Sequence, residues 1–190
     1  MGENKREVVL ESYQTNWAAQ FAEEVSILYP VFWMCWEDVY HIGSTSIPGI
    51  IAKPIIDILL VVHDVKKSDA FEETIIDMGY NPKGEFGIPG RRYIYKGEPV
   101  HTVHIHAFEA TSPHVERHVL FRDYMRAHPE DRDAYSALKQ DLAKQYRFDP
   151  AGYSDAKNEF ITRMDRQSLQ WKEESGWVLP ESDWKPDDFV

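Results

Sequence analysis

The stretch GSTSIPGIIAKPIIDILLVV, residues 43–62, decides the fold of this chain. Its second half, from Ile55 to Val62, is branched and apolar almost throughout, which is typical of a strand covered on both faces. One charge, Asp57, interrupts that run. The Gly43-Ser44 pair at its start follows a short β-prone segment over residues 39–42. The stretch therefore predicts a buried strand that carries a carboxylate next to a glycine turn.

The same stretch contains the first candidates for ligand binding. Gly43 adds no Cβ, so the backbone N–H groups and the hydroxyl of Ser44 can approach an anion closely. An ionised Asp57 on an apolar strand needs a metal ion, a cation or several hydrogen-bond donors to offset its lost hydration. Lys53, four positions earlier, supplies that cation or binds a phosphate. The plainer alternative is a loop hydroxyl that caps a helix and an Asp57–Lys53 pair that joins two elements.

Length and composition favour one globular domain. A chain of 190 residues fills one core well, whereas two domains would be cramped. Hydrophobic residues make up 43% and charged residues 28% of the chain, which is ordinary for a globular protein. We expect a single domain over residues 1–176 and an acidic, Trp-containing C-terminal tail over residues 177–190 that lies on the surface.

The net charge of the chain limits which classes of partner we expect it to bind. Lys and Arg number 21 and Asp and Glu 32, which gives a formal net charge of −11 with no basic run to offset it. Such a surface repels phosphate backbones, so we expect no extended nucleic acid as a partner, while one small anion in a basic pocket is permitted. The single cysteine, Cys35, and the lack of an apolar signal or spanning segment predict a cytoplasmic protein with no membrane partner. The oligomeric state is left open.

The pattern along the chain predicts an α/β (α+β) fold. An amphipathic helix through Trp17 is expected to end near Pro30, and a second helix is expected from Ser68 to Gly79. Residues 81–90 form a glycine-rich loop, and a hairpin follows over residues 92–108. Three further helices are predicted over residues 112–128, 130–146 and 154–174. The result is a small mixed sheet flanked by helices, with a helical C-terminal half.

Two histidines in the predicted hairpin form a second candidate site. His104 and His106 share one face of their strand because they are two residues apart, and His101 is predicted to point the other way. Two imidazoles on one face can ligate a metal, act as acid and base, or hydrogen-bond a ligand. The alternative is a solvated or backbone-bonded pair. His114 and His118, four apart on a helix, form a weaker metal candidate.

The spacing of these motifs resembles known proteins. A Gly-Ser pair, about a dozen residues and an Asp on an apolar strand resemble the core motif of the DNA polymerase beta-like nucleotidyltransferase superfamily. Residues 43–62, residues 103–143 and the Tyr153…Lys157…Phe160 spacing resemble the GrpB family more specifically. The resemblance implies a minimal nucleotidyltransferase fold, in which Gly-Ser holds a triphosphate and two or three carboxylates hold divalent metal.

The sequence departs from that superfamily at the carboxylates. Ile55 and Leu59 stand two positions from Asp57, where a paired acid is expected, and the neighbouring strand carries His104 and His106 in place of a third acid. One Asp with two imidazoles is a poorer site for Mg²⁺ and a better one for Zn²⁺ or Mn²⁺. We therefore expect a divalent metal, Mg, Mn or Zn, at these three residues, which are also the catalytic candidates.

The resemblance also adds cationic ligand-binding candidates. Arg122 lies in a family-like string, LFRDYMRAHP, and is the preferred phosphate-binding arginine. Lys139 and Lys157 belong to family-like strings as well and are expected to line the pocket. Arg92, with its neighbour Arg91, lies beside the glycine-rich loop and could close over a ligand. For each of these residues alone, a surface ion pair is the alternative.

Three functions follow from these candidates. The leading hypothesis is a nucleotidyltransferase-like protein that transfers a nucleotidyl group to, or binds, a small phosphorylated metabolite or nucleotide, with Ser44 and Thr45 on phosphate. The second is a non-catalytic nucleotide- or coenzyme-binding module, because members of the GrpB family also occur fused to dephospho-coenzyme A kinase. The third is a metal-dependent hydrolase that uses Asp57, His104 and His106.

Overall fold

The strand that carries Asp57 lies inside a five-stranded mixed sheet. The computed structural model describes residues 7–186. The strands are β1 (Trp36–Ile42), β2 (Ile56–Val62), β3 (Tyr80–Pro82), β4 (Arg92–Lys96) and β5 (Val103–Glu109). Their order across the sheet is β1-β2-β5-β4-β3. The β2 and β5 strands run parallel, and every other neighbouring pair is antiparallel.

Helices cover both faces of this sheet. They are α1 (Trp17–Phe32), α2 (Val65–Ser68), α3 (Glu72–Asp77), α4 (Pro113–Ala127), α5 (Pro129–Gln145), α6 (Pro150–Asp155) and α7 (Asn158–Ser175). Side chains of α1, α2 and α3 pack on one face, and side chains of α4 pack on the other. The α5 and α7 helices pack against α4 and the loop after β1. The predicted α/β class, with a mixed sheet and a helical C-terminal half, is confirmed.

Alternation along β2 decides which face carries the carboxylate. Ile58 and Leu60 point toward α1, whereas Leu59 and Val61 pack with side chains of α4. Asp57 is two residues before Leu59 and therefore belongs to the same face. The carboxylate thus lies on the side of the sheet that the C-terminal helices cover.

Helix ends differ from the predictions in three places. The α1 helix continues through Pro30 to Phe32, because the buried side chains of Leu28 and Phe32 offset the hydrogen bond that proline removes. The helix predicted from Ser68 to Gly79 is divided, because α2, capped by the Asp64 carboxylate that accepts from the Lys66 N–H at 2.9 Å, ends at Ser68 and α3 begins only at Glu72. The helix predicted over residues 154–174 is divided into α6 and α7.

The C-terminal tail is not confined to the surface, which corrects the prediction. The side chains of Ser182 and Asp183 accept hydrogen bonds from the N–H groups of Val39 and His41, and Trp184 is only 4% exposed. Because β1 is an edge strand, its outer backbone groups need partners, and the tail supplies them. The predicted boundary at residue 176 stays a prediction. Residues 1–6 of the predicted domain and 187–190 of the tail lie outside the described residues.

Within residues 7–186, no helix combines the length and the hydropathy that a membrane span requires.

Candidate functional site

Gly43 ends β1 and brings the following turn against Asp57. Its φ of +68° lies in the left-handed region, and a Cβ at this position would fall 2.3 Å from the Asp57 carboxylate oxygen. A short 3-10 turn, Ser44–Ser46, follows, and the Ser46 hydroxyl donates to the Gly43 carbonyl at 2.7 Å. Ile42 and Asp57 are register partners on β1 and β2. The expected approach of the carboxylate to the glycine turn is therefore present.

A cleft of about 540 Å³ opens over this carboxylate. It is bounded by the turn after β1, by β2, β4 and β5, and by helices α5, α6 and α7. Its polar and charged lining includes most of the residues that the sequence singled out, namely Ser44, Thr45, Lys53, Asp57, His104, His106, Lys139 and Lys157. Residues from both halves of the chain thus form one site.

Three lysines reach the cleft from different elements. The Nζ of Lys139 on α5 donates to the Ser44 hydroxyl oxygen at 3.0 Å and also to the carbonyl of Ile51. The Nζ atoms of Lys53 and Lys157 lie 5.3 and 4.5 Å from the centre of the Tyr153 ring. This aromatic ring is buried and holds both ammonium groups near the cleft through cation–π contacts.

Burial and mutual repulsion weaken the proton affinity of two of these lysines. Burial, together with the charges of Lys157 and Lys53, lowers the pKa of Lys139 to about 7. Burial and the charge of Lys53 lower the pKa of Lys157 to about 8, against the opposing effect of Asp57. Asp57 is the one carboxylate among the described residues that line the cleft. The three lysines therefore leave an excess of positive charge in the cleft, which a bound anion would offset.

His104 and Asp57 form a hydrogen-bonded pair across two parallel strands. They are register partners on β5 and β2, and the Nδ1 of His104 lies 3.2 Å from the Asp57 Oδ1. The Nε2 of His106 lies 3.9 Å from the same oxygen. The predicted shared face of the two histidines is confirmed.

His101 contradicts the prediction that it points away. Its Nδ1 lies 3.0 Å from the Nε2 of His104, and its ring stacks on Tyr95 at 4.0 Å between centroids. His101 precedes β5, which begins at Val103, so the alternation of a strand does not govern its direction.

The Asp57 carboxylate is held in its ionised form. Burial raises its pKa, but the hydrogen bonds and charges of His104 and His106 lower it more, so that it lies well below the usual range. Burial lowers the pKa of His106, and Asp57 opposes that shift. The Asp57 carboxylate is thus stabilised by imidazole groups on the neighbouring strand.

The donors around Asp57 do not fit the expected divalent metal. No group of three or more His, Cys, Asp or Glu side chains within residues 7–186 is arranged to hold a metal ion. The Nδ1 of His104 is engaged with the carboxylate, and the Nδ1 of His106 lies 3.4 Å from the Arg91 guanidinium. A hard ion such as Mg²⁺ needs more oxygen ligands than Asp57 offers. The arrangement therefore does not match the Mg, Mn or Zn site predicted at these residues.

Two predicted ligand-binding arginines lie outside the cleft. Arg122 is buried and donates to the carboxylates of Asp123 and Asp183, so it joins α4 to the C-terminal tail. Arg92 pairs with both oxygens of Asp69 at 2.6 and 2.8 Å. Both guanidinium groups are already satisfied by carboxylates, so the alternative of an ion pair describes these two residues, although Arg122 is buried rather than on the surface.

Arg91 lines the cleft in place of its neighbour Arg92. Its guanidinium donates to the carbonyl oxygens of Phe86 and Glu85 at 2.6 and 3.2 Å, and this fixes the glycine-rich loop at the rim. Adjacent residues on an extended segment point to opposite sides, which separates the two arginines.

Thr45 also has a different role from the predicted one. Its hydroxyl donates to the Ile55 carbonyl at 3.1 Å and lies 3.0 Å from the Nε2 of His41, and its side chain is buried. These bonds fix the turn to β2. The hydroxyl of Ser44, rather than that of Thr45, is placed to meet a ligand.

The aromatic lining of the cleft was not predicted from the sequence. Tyr153 lies between two of the lysines, and Phe86 and Tyr93 lie on the side of β4. The signal for Phe86 was its position inside a loop that, apart from Ile88, is otherwise made of Gly, Pro and polar residues.

The residues that line the cleft all lie within the part of the chain that is similar to known proteins. The family model described as GrpB protein matches residues 7–167. The UPF0157 protein YqkA of Bacillus subtilis is 44% identical over 168 residues, which are 88% of this chain but only 49%, about half, of that protein. The glutamate-rich protein GrpB of Alkalihalophilus pseudofirmus is 35% identical over 166 residues, which are 85% of this chain and 95% of that protein.

A solved structure is also similar to this one. The crystal structure of conserved protein GrpB from Enterococcus faecalis superposes with a TM-score of 0.82 at 36% identity, over 85% of this chain and 98% of that one. The similarity therefore extends to the fold as a whole.

Proposed function

This chain belongs to the GrpB family, and we propose that its cleft binds a small phosphorylated ligand, a nucleotide or another phosphorylated metabolite. The phosphate groups bind at Ser44 and at the three lysines of the cleft, Lys53, Lys139 and Lys157. The observation that carries the proposal is the convergence of these lysines on one cleft in a protein whose formal net charge is −11.

Electrostatics favour a phosphate over a neutral ligand. A lysine ammonium is a compact point charge that binds phosphate oxygens well, and partial burial strengthens the attraction because the cleft screens charges less than water does. A bound anion raises the pKa of the two lysines whose pKa values are lowered, so that a larger fraction of each carries its proton. Binding of a phosphate therefore removes the cost of keeping these ammonium groups together.

Nucleotidyl transfer to such a ligand stays a prediction. The Gly43-Ser44 turn and the position of Asp57 support it, and the incomplete set of metal ligands argues against the usual two-metal route. Non-catalytic binding of a nucleotide or coenzyme needs only the cationic part of the cleft. Binding is therefore the function that the geometry supports best.

A thermal-shift screen tests this proposal. Nucleotides, coenzyme precursors and inorganic tripolyphosphate are added to the purified protein, each with and without Mg²⁺, Mn²⁺ and Zn²⁺. A ligand present at about a hundred times its dissociation constant should stabilise the fold by about 2.7 kcal/mol. We expect phosphorylated compounds to raise the melting temperature without added metal and their unphosphorylated analogues to have no effect. Equal effects of both kinds of compound would contradict the proposal.

A further inference from the structure

The cleft has two chemically different ends. The cationic end lies by the turn after β1 and by β2, where Ser44 and Asp57 are found. The other end lies by β4, which is separated from β2 by one strand, β5. Neighbouring strands are about 4.8 Å apart, so β4 is roughly 10 Å from β2. A ligand that fills the cleft therefore meets cations at one end and the lining of β4 at the other.

The end near β4 is largely aromatic and apolar, and the charged group that it contains is the Arg91 guanidinium, 5.1 Å from the centre of the Tyr93 ring. Phe86, Ile88 and Tyr93 line it, and the rings of Phe86 and Tyr93 stack at 5.1 Å between centroids with planes 16° apart. Tyr93 occupies one face of the Phe86 ring, yet Phe86 remains 65% exposed. One large aromatic surface thus stays open at the mouth of a cleft.

The backbone holds Phe86 in this position at a cost. Its φ of +43° is left-handed, which is unfavourable for a residue with a Cβ. Arg91 donates to the carbonyl of Phe86 at 2.6 Å, and the Gly90 N–H donates to the Glu85 carboxylate at 2.7 Å. These bonds fix the loop, so the exposed ring is positioned before any ligand arrives.

We infer that the phosphorylated ligand is a nucleotide, whose base stacks on the open face of Phe86 while its phosphates bind Ser44 and the cleft lysines. This inference rests on the proposed function and makes it more specific. A planar base joined to an anionic chain matches both ends of the cleft at once. Stacking of a base on an aromatic side chain strengthens binding and depends little on which base is present.

Calorimetric titration without metal measures the contributions of the two ends of the cleft to ligand binding separately. ATP and inorganic tripolyphosphate carry the same phosphate chain, and only ATP carries a base. We expect the unaltered protein to bind ATP more tightly than tripolyphosphate. Phe86→Ala should weaken ATP binding about tenfold and leave tripolyphosphate binding unchanged. Lys139→Met should weaken the binding of both ligands.

A second variant guards against an effect of loop disruption. Phe86→Trp keeps an aromatic surface, and the fluorescence that it adds to that of the six native tryptophans should be quenched by ATP and not by tripolyphosphate. Equal binding of ATP and tripolyphosphate by the unaltered protein would overturn the inference and leave the proposed phosphate site intact. An equal loss for both ligands in Phe86→Ala, with no base-dependent quenching in Phe86→Trp, would also overturn it. Binding of neither ligand would overturn the inference and the proposed function together.

Discussion

The Lys139 ammonium nitrogen lies 3.0 Å from the Ser44 hydroxyl oxygen, although the two residues are 95 positions apart. This contact joins α5 to the turn after β1, so the cationic part of the cleft exists only in the folded chain. Lys139 is 2% exposed, which makes its charge costly and its position well defined. The pair therefore marks the place where we propose that the cleft binds an anion.

Gly43→Ala should destabilise the protein and disturb the Asp57 carboxylate. The added Cβ would lie 2.3 Å from the carboxylate oxygen, on a backbone with φ of +68°. We expect a loss of about 2–4 kcal/mol in the free energy of unfolding, measured by urea denaturation. Gly79→Ala is the matched control, because its φ of +87° imposes the same kind of strain with nothing within 4 Å of the new Cβ. Equal losses in both variants would show that the contact with Asp57 is unimportant.

Asp57→Asn should lower stability and leave phosphate binding equal or stronger. Because the pKa of Asp57 is depressed, the ionised carboxylate stabilises the fold at pH values above its ordinary pKa of 3.8. This stabilisation is lost as the pH falls toward the depressed pKa. Replacement by Asn weakens the hydrogen bond to His104 and removes the attraction to the nearby His106, with an expected loss of about 2 kcal/mol. It also removes the negative charge that competes with a bound phosphate.

Urea denaturation and titration with tripolyphosphate measure the two effects of this variant. Asp141→Asn is the control, because Asp141 is exposed on the surface of α5. Loss of phosphate binding in Asp57→Asn, together with unchanged stability, would instead indicate that Asp57 holds a cation required by the ligand.

Ligand binding should be accompanied by proton uptake near pH 8. Lys139 and Lys157 have pKa values lowered to about 7 and about 8, so both are at least partly neutral at this pH in the free protein. A bound phosphate raises both pKa values, and the lysines take up protons. Affinity for ATP should therefore fall as the pH rises above about 8.

Calorimetry in buffers with different enthalpies of ionisation measures this uptake. The slope of the observed heat against buffer enthalpy should correspond to net uptake at about pH 8 and should shrink in Lys139→Met. A slope of zero, or net release of protons, would be inconsistent with lysines of lowered pKa at the binding site.

The tail should contribute to stability although it lies beyond the part of the chain matched by the family model. Trp184 is 4% exposed and lies 5.3 Å from the ring of Tyr29. We expect Trp184→Ala to cost about 3–5 kcal/mol in thermal or urea unfolding. Trp33→Ala, at a residue that is 61% exposed, is expected to change stability by at most about 0.5 kcal/mol. Similar effects for both tryptophans would place Trp184 outside the core.

The parts of the fold that local pattern determines could be predicted from the sequence. The apolar run of β2 predicted a buried strand, and the Gly43-Ser44 pair predicted a tight turn beside Asp57. Alternation within β5 placed His104 and His106 correctly on one face. These features depend on a few neighbouring residues, so the sequence shows them directly.

The predictions that were wrong concern features that depend on long-range contacts or on the exact ends of helices and strands. Whether Arg122 faces a ligand or a carboxylate depends on Asp183 in the tail, 61 residues away. His101 lies outside the strand whose alternation was applied to it. No local pattern in the sequence showed that the tail would pair with the edge of β1.

The most direct test of the phosphate-binding cleft is calorimetric titration of tripolyphosphate, without metal, into the unaltered protein, Lys139→Met and Lys144→Met. Both lysines lie on α5, and Lys144 is 78% exposed, so the two variants remove equal charge from the same helix at different sites. We predict binding by the unaltered protein and by Lys144→Met. We predict at least about tenfold weaker binding by Lys139→Met, whose melting temperature is measured alongside to show that it is folded. Equal affinities in the two variants, or no binding by the unaltered protein, would contradict the assignment of this cleft to a phosphorylated ligand.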